Sequence, residues 1–188
     1  MNAAEARAAI ERWYQAALAA VEPGAAVRRA LAGGSVRLPD PARGRVILVA
    51  IGKAADPMAR AALDALGSTV AAGVVLTKDG HLAVSPPAPL DAFEAGHPIP
   101  DGRGVAATER TLDLVRSAGE HDLILALVSG GGSALFEAPR PPATLADVAA
   151  TTDLLLRAGA PIQHLNAVRT PLSQVKGGGL RSAAPKTR

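Results

Sequence analysis

The chain has 188 residues, 48% hydrophobic and 20% charged, a composition typical of a globular domain. Only 2% of the residues are aromatic, so the core must be aliphatic, and stacking platforms for single-stranded nucleic acid are scarce. The net charge of +3 is spread over scattered residues with no basic face for DNA, and the lack of cysteine excludes disulfides, thiolate zinc sites and a cysteine nucleophile.

The N-terminal segment carries Glu5 and Glu11 and lacks the apolar stretch of a secretory signal. The longest apolar run, Val46 to Ile51, is far too short to span a bilayer. We therefore expect a cytoplasmic protein that has neither a membrane nor a nucleic acid among its partners.

The chain up to Val128 alternates predicted helices and strands. Apolar residues at helical spacing follow Asn2, a candidate N-cap, and Pro23-Gly24 predicts the end of this helix. The run Val46–Ile51 is apolar and rich in β-branched residues, as in a strand buried on both faces. Helical spacing predicts further helices at 27–31, 54–66 and 105–118. Short apolar runs predict buried strands at 73–77 and 122–128, and a short strand is predicted at 93–95.

The remaining segments are more irregular. The proline-rich stretch 85–89 predicts an exposed loop, and Thr144 with Asp147 predicts a capped helix that runs to Arg157. Residues 161–188 have a helix-like pattern that Pro171 and the glycines after Lys176 interrupt. With no repeat and no second domain, the sequence predicts one α/β domain over 1–188, with a mostly parallel sheet flanked by helices.

Gly52 and Lys53 follow the first predicted strand directly. Ligands of open α/β sheets bind outside the carboxyl ends of the strands, where glycine allows close approach and lysine can reach a phosphate or a carboxylate. A cation at a helix N-terminus is unfavourable unless an anion lies nearby, which favours an anion site. The alternative is a solvated lysine that begins a helix.

A second candidate loop follows the strand predicted at 122–128. It reads Ser129, Gly130, Gly131, Gly132 and Ser133. Consecutive glycines expose backbone N–H groups that can cradle an anion, and the two hydroxyls add donors. The loop is neither a Walker A sequence nor a dinucleotide-binding G-x-G-x-x-G sequence. The alternative is a flexible turn.

Two further segments carry polar residues suited to an anionic ligand. His97 and Asp101 lie in a loop stiffened by two prolines, with a purely structural loop as the alternative. Asn166 and Arg169 would share a face of a helix at i, i+3, with a solvated helix face as the alternative. Lys176, Gly177 and Gly178 follow them in the chain and complete a set apt for a carboxylate or a phosphate.

Taken together, these segments resemble the class II glycerate 2-kinase family. The matching stretches are ValAlaIleGlyLysAlaAla (49–55), GlyValValLeuThrLysAspGlyHis (73–81), GluAlaGlyHisProIleProAsp (94–101), LeuValSerGlyGlyGlySerAlaLeu (127–135) and, over 165–178, LeuAsnAlaValArg followed by LeuSerGlnValLysGlyGly. The pair formed by His-Pro-x-Pro-Asp and Ser-Gly-Gly-Gly-Ser is the most specific part. The resemblance extends from the first helix to about Ala184.

The resemblance implies a Rossmann-like N-terminal domain followed by a smaller domain, with ATP, Mg²⁺ and glycerate bound in the cleft between them. It implies that Lys53 is the catalytic lysine, that the Ser129–Ser133 loop holds an anion, and that the 166–178 segment binds substrate or ATP. Metal ligands and the general base are not identified, although His97 and Asp101 are candidates for the base. Association into a homo-oligomer is left open.

Two departures from the family pattern accompany this resemblance. Pro171 stands where the family has the histidine of Arg-Lys-His-Leu-Ser, and the family's acidic segment and second domain do not follow Lys176-Gly-Gly. We therefore expect an N-terminal domain truncated at its C-terminus. Alternatives are a non-catalytic fragment and a hydroxypyruvate reductase, which would need a dinucleotide fingerprint that the sequence lacks.

Overall fold

The computed structural model describes residues 2–34, 36–84 and 88–184, and its centre is a four-stranded sheet. The strand order is β3-β2-β1-β4, and all three neighbouring pairs are parallel. The strands are β1 (Val46–Ile51), β2 (Val70–Lys78), β3 (Leu90–Ala95) and β4 (Leu123–Val128). The predicted α/β class, with a parallel sheet flanked by helices, is confirmed.

Helices cover both faces of the sheet and form two apolar layers. The helices are α1 (Ala3–Ala20), α2 (Pro23–Ala32), α3 (Ala55–Leu66), α4 (Gly102–Arg116), α5 (Gly132–Leu135), α6 (Leu145–Arg157), α7 (Ile162–Arg169) and α8 (Gly179–Ser182). Alternate residues of β1 enter opposite layers: Ile47 packs on the α4 side, and Leu48 packs on the side of α2 and α3. This period of two explains why every residue of β1 is buried.

The strand β4 departs from its prediction as a strand buried on both faces. It pairs only with β1, at the edge of the sheet, and Leu125 is its one buried residue. Val128 at its carboxyl end is 68% exposed. An apolar run alone does not distinguish a central strand from an edge strand, because the distinction depends on which neighbours the chain supplies.

Two boundaries differ from their predictions because local capping decides them. Pro23 opens α2, where the Glu22 carboxylate accepts a hydrogen bond of 2.8 Å from the N–H of Gly24. Helix α4 begins at Gly102, three residues earlier than predicted, since Asp101 caps it. The Thr144 capping box predicted for α6 is present as expected.

Helix α7 ends at Arg169, where the N–H of Thr170 still donates to the carbonyl of Asn166. Pro171 therefore follows the helix and removes none of its internal hydrogen bonds. Of the proline-rich stretch at 85–89, residues 85–87 lie outside the described part, and Ala88 and Pro89 are exposed.

Helix α1 forms as predicted, with Asn2 as its N-cap, but it buries little of its apolar stripe. Trp13 and Tyr14 are 69% and 62% exposed, and Ala9 is the only buried residue of the helix. Among the described residues, no helix has both the length and the apolar character that crossing a membrane requires.

Candidate functional site

The loops that follow β1 and β4 contact each other at the carboxyl edge of the sheet. The Ser129 N–H donates to the carbonyl of Ile51 at 2.9 Å, and the Lys53 N–H donates to the carbonyl of Gly130 at 2.9 Å. The Ser129 hydroxyl also accepts from the Ala54 N–H at 3.0 Å. Adjacent parallel strands thus bring together two segments that are 75 residues apart in sequence.

Gly52 makes this approach possible. Its φ is +113°, and a Cβ there would lie 2.4 Å from the Ser129 hydroxyl oxygen. No side chain fits in that space, and the backbone conformation itself favours glycine. Gly52 therefore allows the Ser129 loop to approach closely, and its predicted part in ligand binding stays a prediction.

The glycine loop passes directly beside Lys53 and His97. A Cβ on Gly131, whose φ is +88°, would lie 3.1 Å from His97 Nε2 and 3.3 Å from Lys53 Cε. Within the described residues, the backbone N–H groups of Gly130, Gly131 and Ser133 have no hydrogen-bond partner. Free N–H donors next to cationic side chains form a surface suited to an anion.

Three cationic side chains act on His97 beside this loop. Burial lowers the pKa of His97 below its usual value, and the charges of Lys53, Lys78 and Arg169 lower it further. A lowered pKa keeps the imidazole neutral at pH 7, and the three cations leave the surroundings positive. The structure thus brings Lys53, His97, Arg169 and the glycine loop to one place.

Lys78 is the member of this group that the sequence analysis missed. It ends β2 two residues after Leu76, which pairs with Ile51, and Lys53 lies two residues after Ile51. The two lysines therefore leave neighbouring strands at the same level of the sheet. The signal was available, since Lys78 follows the strand predicted at 73–77.

Asp101 is engaged in holding the backbone. Its carboxylate accepts from the N–H groups of Gly96 at 2.9 Å and Gly104 at 3.0 Å, and it pairs with Arg103. Burial alone would raise the pKa of Asp101, but these hydrogen bonds and the Arg103 charge outweigh it and lower the pKa. Asp101 fixes both ends of the loop that carries His97 and is a weak proton acceptor in this arrangement.

Arg169 and Lys176 both point into the protein, toward Glu137. Their side chains are 6% and 11% exposed, and the Glu137 side chain is fully buried. Burial lowers the pKa of both cations, and the Glu137 carboxylate opposes that effect. Lys176 Nζ contacts Glu137, the Phe136 carbonyl and, at 3.5 Å, the Ser173 hydroxyl, so its three N–H donors are all directed at protein atoms.

The remaining predicted residues lie at the surface. Asn166 is exposed although Arg169 on the same helix is buried, so the two do not share their surroundings as the i, i+3 spacing predicted. Gly177 and Gly178 are exposed and have positive φ angles of 58° and 92° in the turn before α8. Their part in binding stays a prediction.

The carboxylates of the described residues bear on where the expected Mg²⁺ could be held. No cluster of three or more His, Asp or Glu side chains among them could hold a metal. The two carboxylates nearest His97 in sequence, Asp101 and Glu94, already accept hydrogen bonds from backbone N–H groups. Mg²⁺ is commonly held by one or two carboxylates together with substrate phosphates, so the lack of such a cluster does not bear against it.

Comparison with known proteins supports the resemblance drawn from the motifs. A D-glycerate 2-kinase from Thermotoga maritima is 49% identical over 134 residues, which make up 71% of this chain and 32% of that protein. A protein from Agrobacterium vitis named as a hydroxypyruvate reductase is 40% identical over 97% of this chain and 40% of its own length. The crystal structure of a glycerate kinase from Thermotoga maritima matches with a TM-score of 0.82 and 41% identity, over 93% of this chain and 40% of that one.

The expected likeness to glycerate 2-kinases is thus confirmed, and the chain spans 32% to 40% of the length of these relatives. One domain family, described as a domain of unknown function (DUF4147), matches residues 9–188. Because that match takes in nearly the whole chain, the chain belongs to the DUF4147 domain family.

Proposed function

We propose that this chain forms the Lys53-bearing part of an ATP-dependent glycerate 2-kinase, which converts D-glycerate to 2-phosphoglycerate. The observation that carries the proposal is the contact between the loops after β1 and β4, which sets Lys53 and His97 beside the free N–H groups of the glycine loop. Both substrates of such a kinase are anions, and phosphoryl transfer depends mainly on positioning and charge stabilisation.

In this proposal the 2-hydroxyl oxygen of glycerate bonds to the γ-phosphorus of ATP as the bond from that phosphorus to the β-phosphate oxygen breaks. Lys53 stabilises charge on the transferring group, and the Ser129–Ser133 loop holds either a nucleotide phosphate or the glycerate carboxylate. Arg169 adds positive charge from beneath the loop. Asn166, Lys176, Gly177 and Gly178 remain predicted to orient one of the substrates.

His97 is the better candidate for the group that accepts the hydroxyl proton. Its lowered pKa leaves the imidazole neutral at pH 7, and its Nε2 faces the glycine loop. Asp101 is held by two backbone N–H groups and Arg103, which reduces its basicity. This comparison supports His97 in the role that the sequence left open between the two.

ATP and Mg²⁺ are the proposed cofactors of the whole enzyme. The cationic loop supports phosphate binding, and Mg²⁺ would be held largely by the phosphates of the bound nucleotide. That residues 1–188 form a single N-terminal domain, that the protein is cytoplasmic and that it forms a homo-oligomer remain predictions.

A hydroxypyruvate reductase is the second candidate, because the Agrobacterium vitis relative carries that name. Such an enzyme needs a dinucleotide-binding loop with an acidic residue on the following strand. The strand β1 is followed by Gly-Lys-Ala-Ala and not by a glycine fingerprint, which supports the kinase.

The test compares the two activities and asks whether Lys53 is needed. The 188-residue chain is assayed with D-glycerate, ATP and Mg²⁺ for ADP release, and with hydroxypyruvate and NADH for loss of NADH absorbance. The D-glycerate 2-kinase of Thermotoga maritima serves as the positive control. Binding of inorganic phosphate to the chain is measured by calorimetry in parallel, because the anion site can be tested even without turnover.

Lys53→Met should abolish ADP release and weaken phosphate binding at least tenfold, the order expected for a charge-assisted contact. Arg157→Met, which removes an exposed cation on α6, is the control and should change neither. Unaltered turnover and phosphate binding in Lys53→Met would refute the role of Lys53. NADH oxidation without ADP release would favour the reductase.

A further inference from the structure

The buried carboxylate of Glu137 lies between two cations beneath the glycine loop. Its Oε2 is 2.5 Å from Lys176 Nζ and 3.7 Å from Arg169 Nη2. Arg169 Nη2 also donates to the carbonyl of Ser133 at 2.8 Å, and Lys176 Nζ donates to the carbonyl of Phe136 at 3.1 Å. These contacts tie the end of the glycine loop and α5 to the segment that follows α7.

Stability alone is a poor reason for this arrangement. Glu137 Oε1 and Arg169 Nε are buried and have no hydrogen-bond partner among the described residues. A buried ion pair is often no more stabilising than an apolar replacement, and a partly satisfied polar network is worse than a fully satisfied one. The charges at this place therefore call for another explanation.

A charge count supplies one. One carboxylate faces two cationic side chains, so by formal charge the group of three has one positive charge in surplus. Lys176 directs its N–H donors at protein atoms, whereas the charge of Arg169 acts on His97 in the proposed site. The surplus charge therefore belongs to Arg169, directly beneath the glycine loop.

We infer that Glu137 is a positioning residue: together with the Ser133 carbonyl, it holds the Arg169 guanidinium under the glycine loop, where its charge acts on an anion bound above. This inference rests on the proposed function, because it assumes an anion at that loop. Glu137 itself touches no substrate.

The first test follows the titration of His97 by NMR in the chain without ligand, with His97→Gln to assign the signal. Arg169→Met should raise the pKa of His97, because a nearby positive charge is removed. If Glu137 positions Arg169, Glu137→Gln should shift that pKa in the same direction, since the unpaired guanidinium leaves its place. A pKa that falls or stays unchanged in Glu137→Gln, with a rise in Arg169→Met, would overturn the inference.

A double variant separates positioning from simple neutralisation of Lys176. In Glu137→Gln combined with Lys176→Met, no uncompensated lysine remains. We expect the His97 pKa to stay raised, and this readout decides because Lys176 is itself a predicted binding residue. Recovery of the His97 pKa would mean that Glu137 only neutralises Lys176.

A conservative variant tests the inference even where the neutral variants do not fold. Glu137→Asp keeps the carboxylate but shortens the side chain by one methylene. It should raise the His97 pKa and weaken phosphate binding as Glu137→Gln does, but by a smaller amount. If the neutral variants fail to fold, unchanged readouts in folded Glu137→Asp would overturn the inference. If the unmodified chain binds no phosphate, the proposed anion site fails, and the His97 titration still decides whether Glu137 positions Arg169.

Discussion

Gly131→Ala tests whether the glycine loop acts through its closeness to Lys53 and His97. Gly131 has a φ of +88°, which costs a residue with a side chain about 1–2 kcal/mol. In a domain of this size, that corresponds to a fall in Tm of about 2–8 °C. The new Cβ would also lie 3.1 Å from His97 Nε2 and 3.3 Å from Lys53 Cε, so both side chains must move away.

Gly34→Ala provides the matched control. Gly34 has a φ of +69° and nothing within 4 Å of the added Cβ, so it carries the backbone cost without the contacts. Both variants should lose similar stability in thermal unfolding. In calorimetry, only Gly131→Ala should bind inorganic phosphate at least tenfold more weakly. Equal phosphate affinity in the two variants would show that the contacts of Gly131 do not matter for an anion.

Three further predictions use the same chain. Asp101→Ala should lower the free energy of unfolding by about 1 kcal/mol through loss of the α4 cap, as thermal unfolding would show. Folding lowers the pKa of Asp101 from an ordinary value of 3.8. The contribution of its carboxylate to the free energy of unfolding is therefore present above that pH and is lost as the pH falls through the folded pKa. The stabilities of wild type and variant should accordingly converge in acid. Lys78→Met should raise the pKa of His97 in an NMR titration and weaken phosphate binding, and an unchanged pKa would place Lys78 away from the site.

Much of the fold could be predicted from local signals. The apolar run at Val46–Ile51, the caps at Asn2 and Thr144 and the alternation of helices and strands identified the elements and the α/β class. The edge position of β4 could not be predicted, because an apolar strand reads the same whether it has one neighbour or two. The start of α4 depended on the side chain of Asp101, which the sequence presented as a candidate for chemistry.

The residues of the candidate site that follow strands could be predicted from the sequence. Those whose side chains are buried beneath the glycine loop could not. Lys53 and the glycine loop each follow a strand, and parallel pairing alone brings them together. Glu137 gave no such signal, because a glutamate after a short helix is ordinarily exposed, and its burial depends on Arg169 and Lys176 more than 30 residues later. Long-range pairing of this kind is not encoded in any local pattern.

The balance of charges gives the strongest physical argument for an anionic ligand. Glu137 is engaged by Lys176, and the other carboxylates around the cationic cluster are engaged as well: Asp79 and Asp101 by Arg103, and Glu94 by the N–H groups of His81 and Leu82. In the described part of the chain, Lys53 and Lys78 form no ion pair. Two lysines without a carboxylate partner, on neighbouring strands and near free backbone N–H groups, leave this edge of the sheet with positive charge that an anion would compensate. We therefore infer that its ligand is an anion.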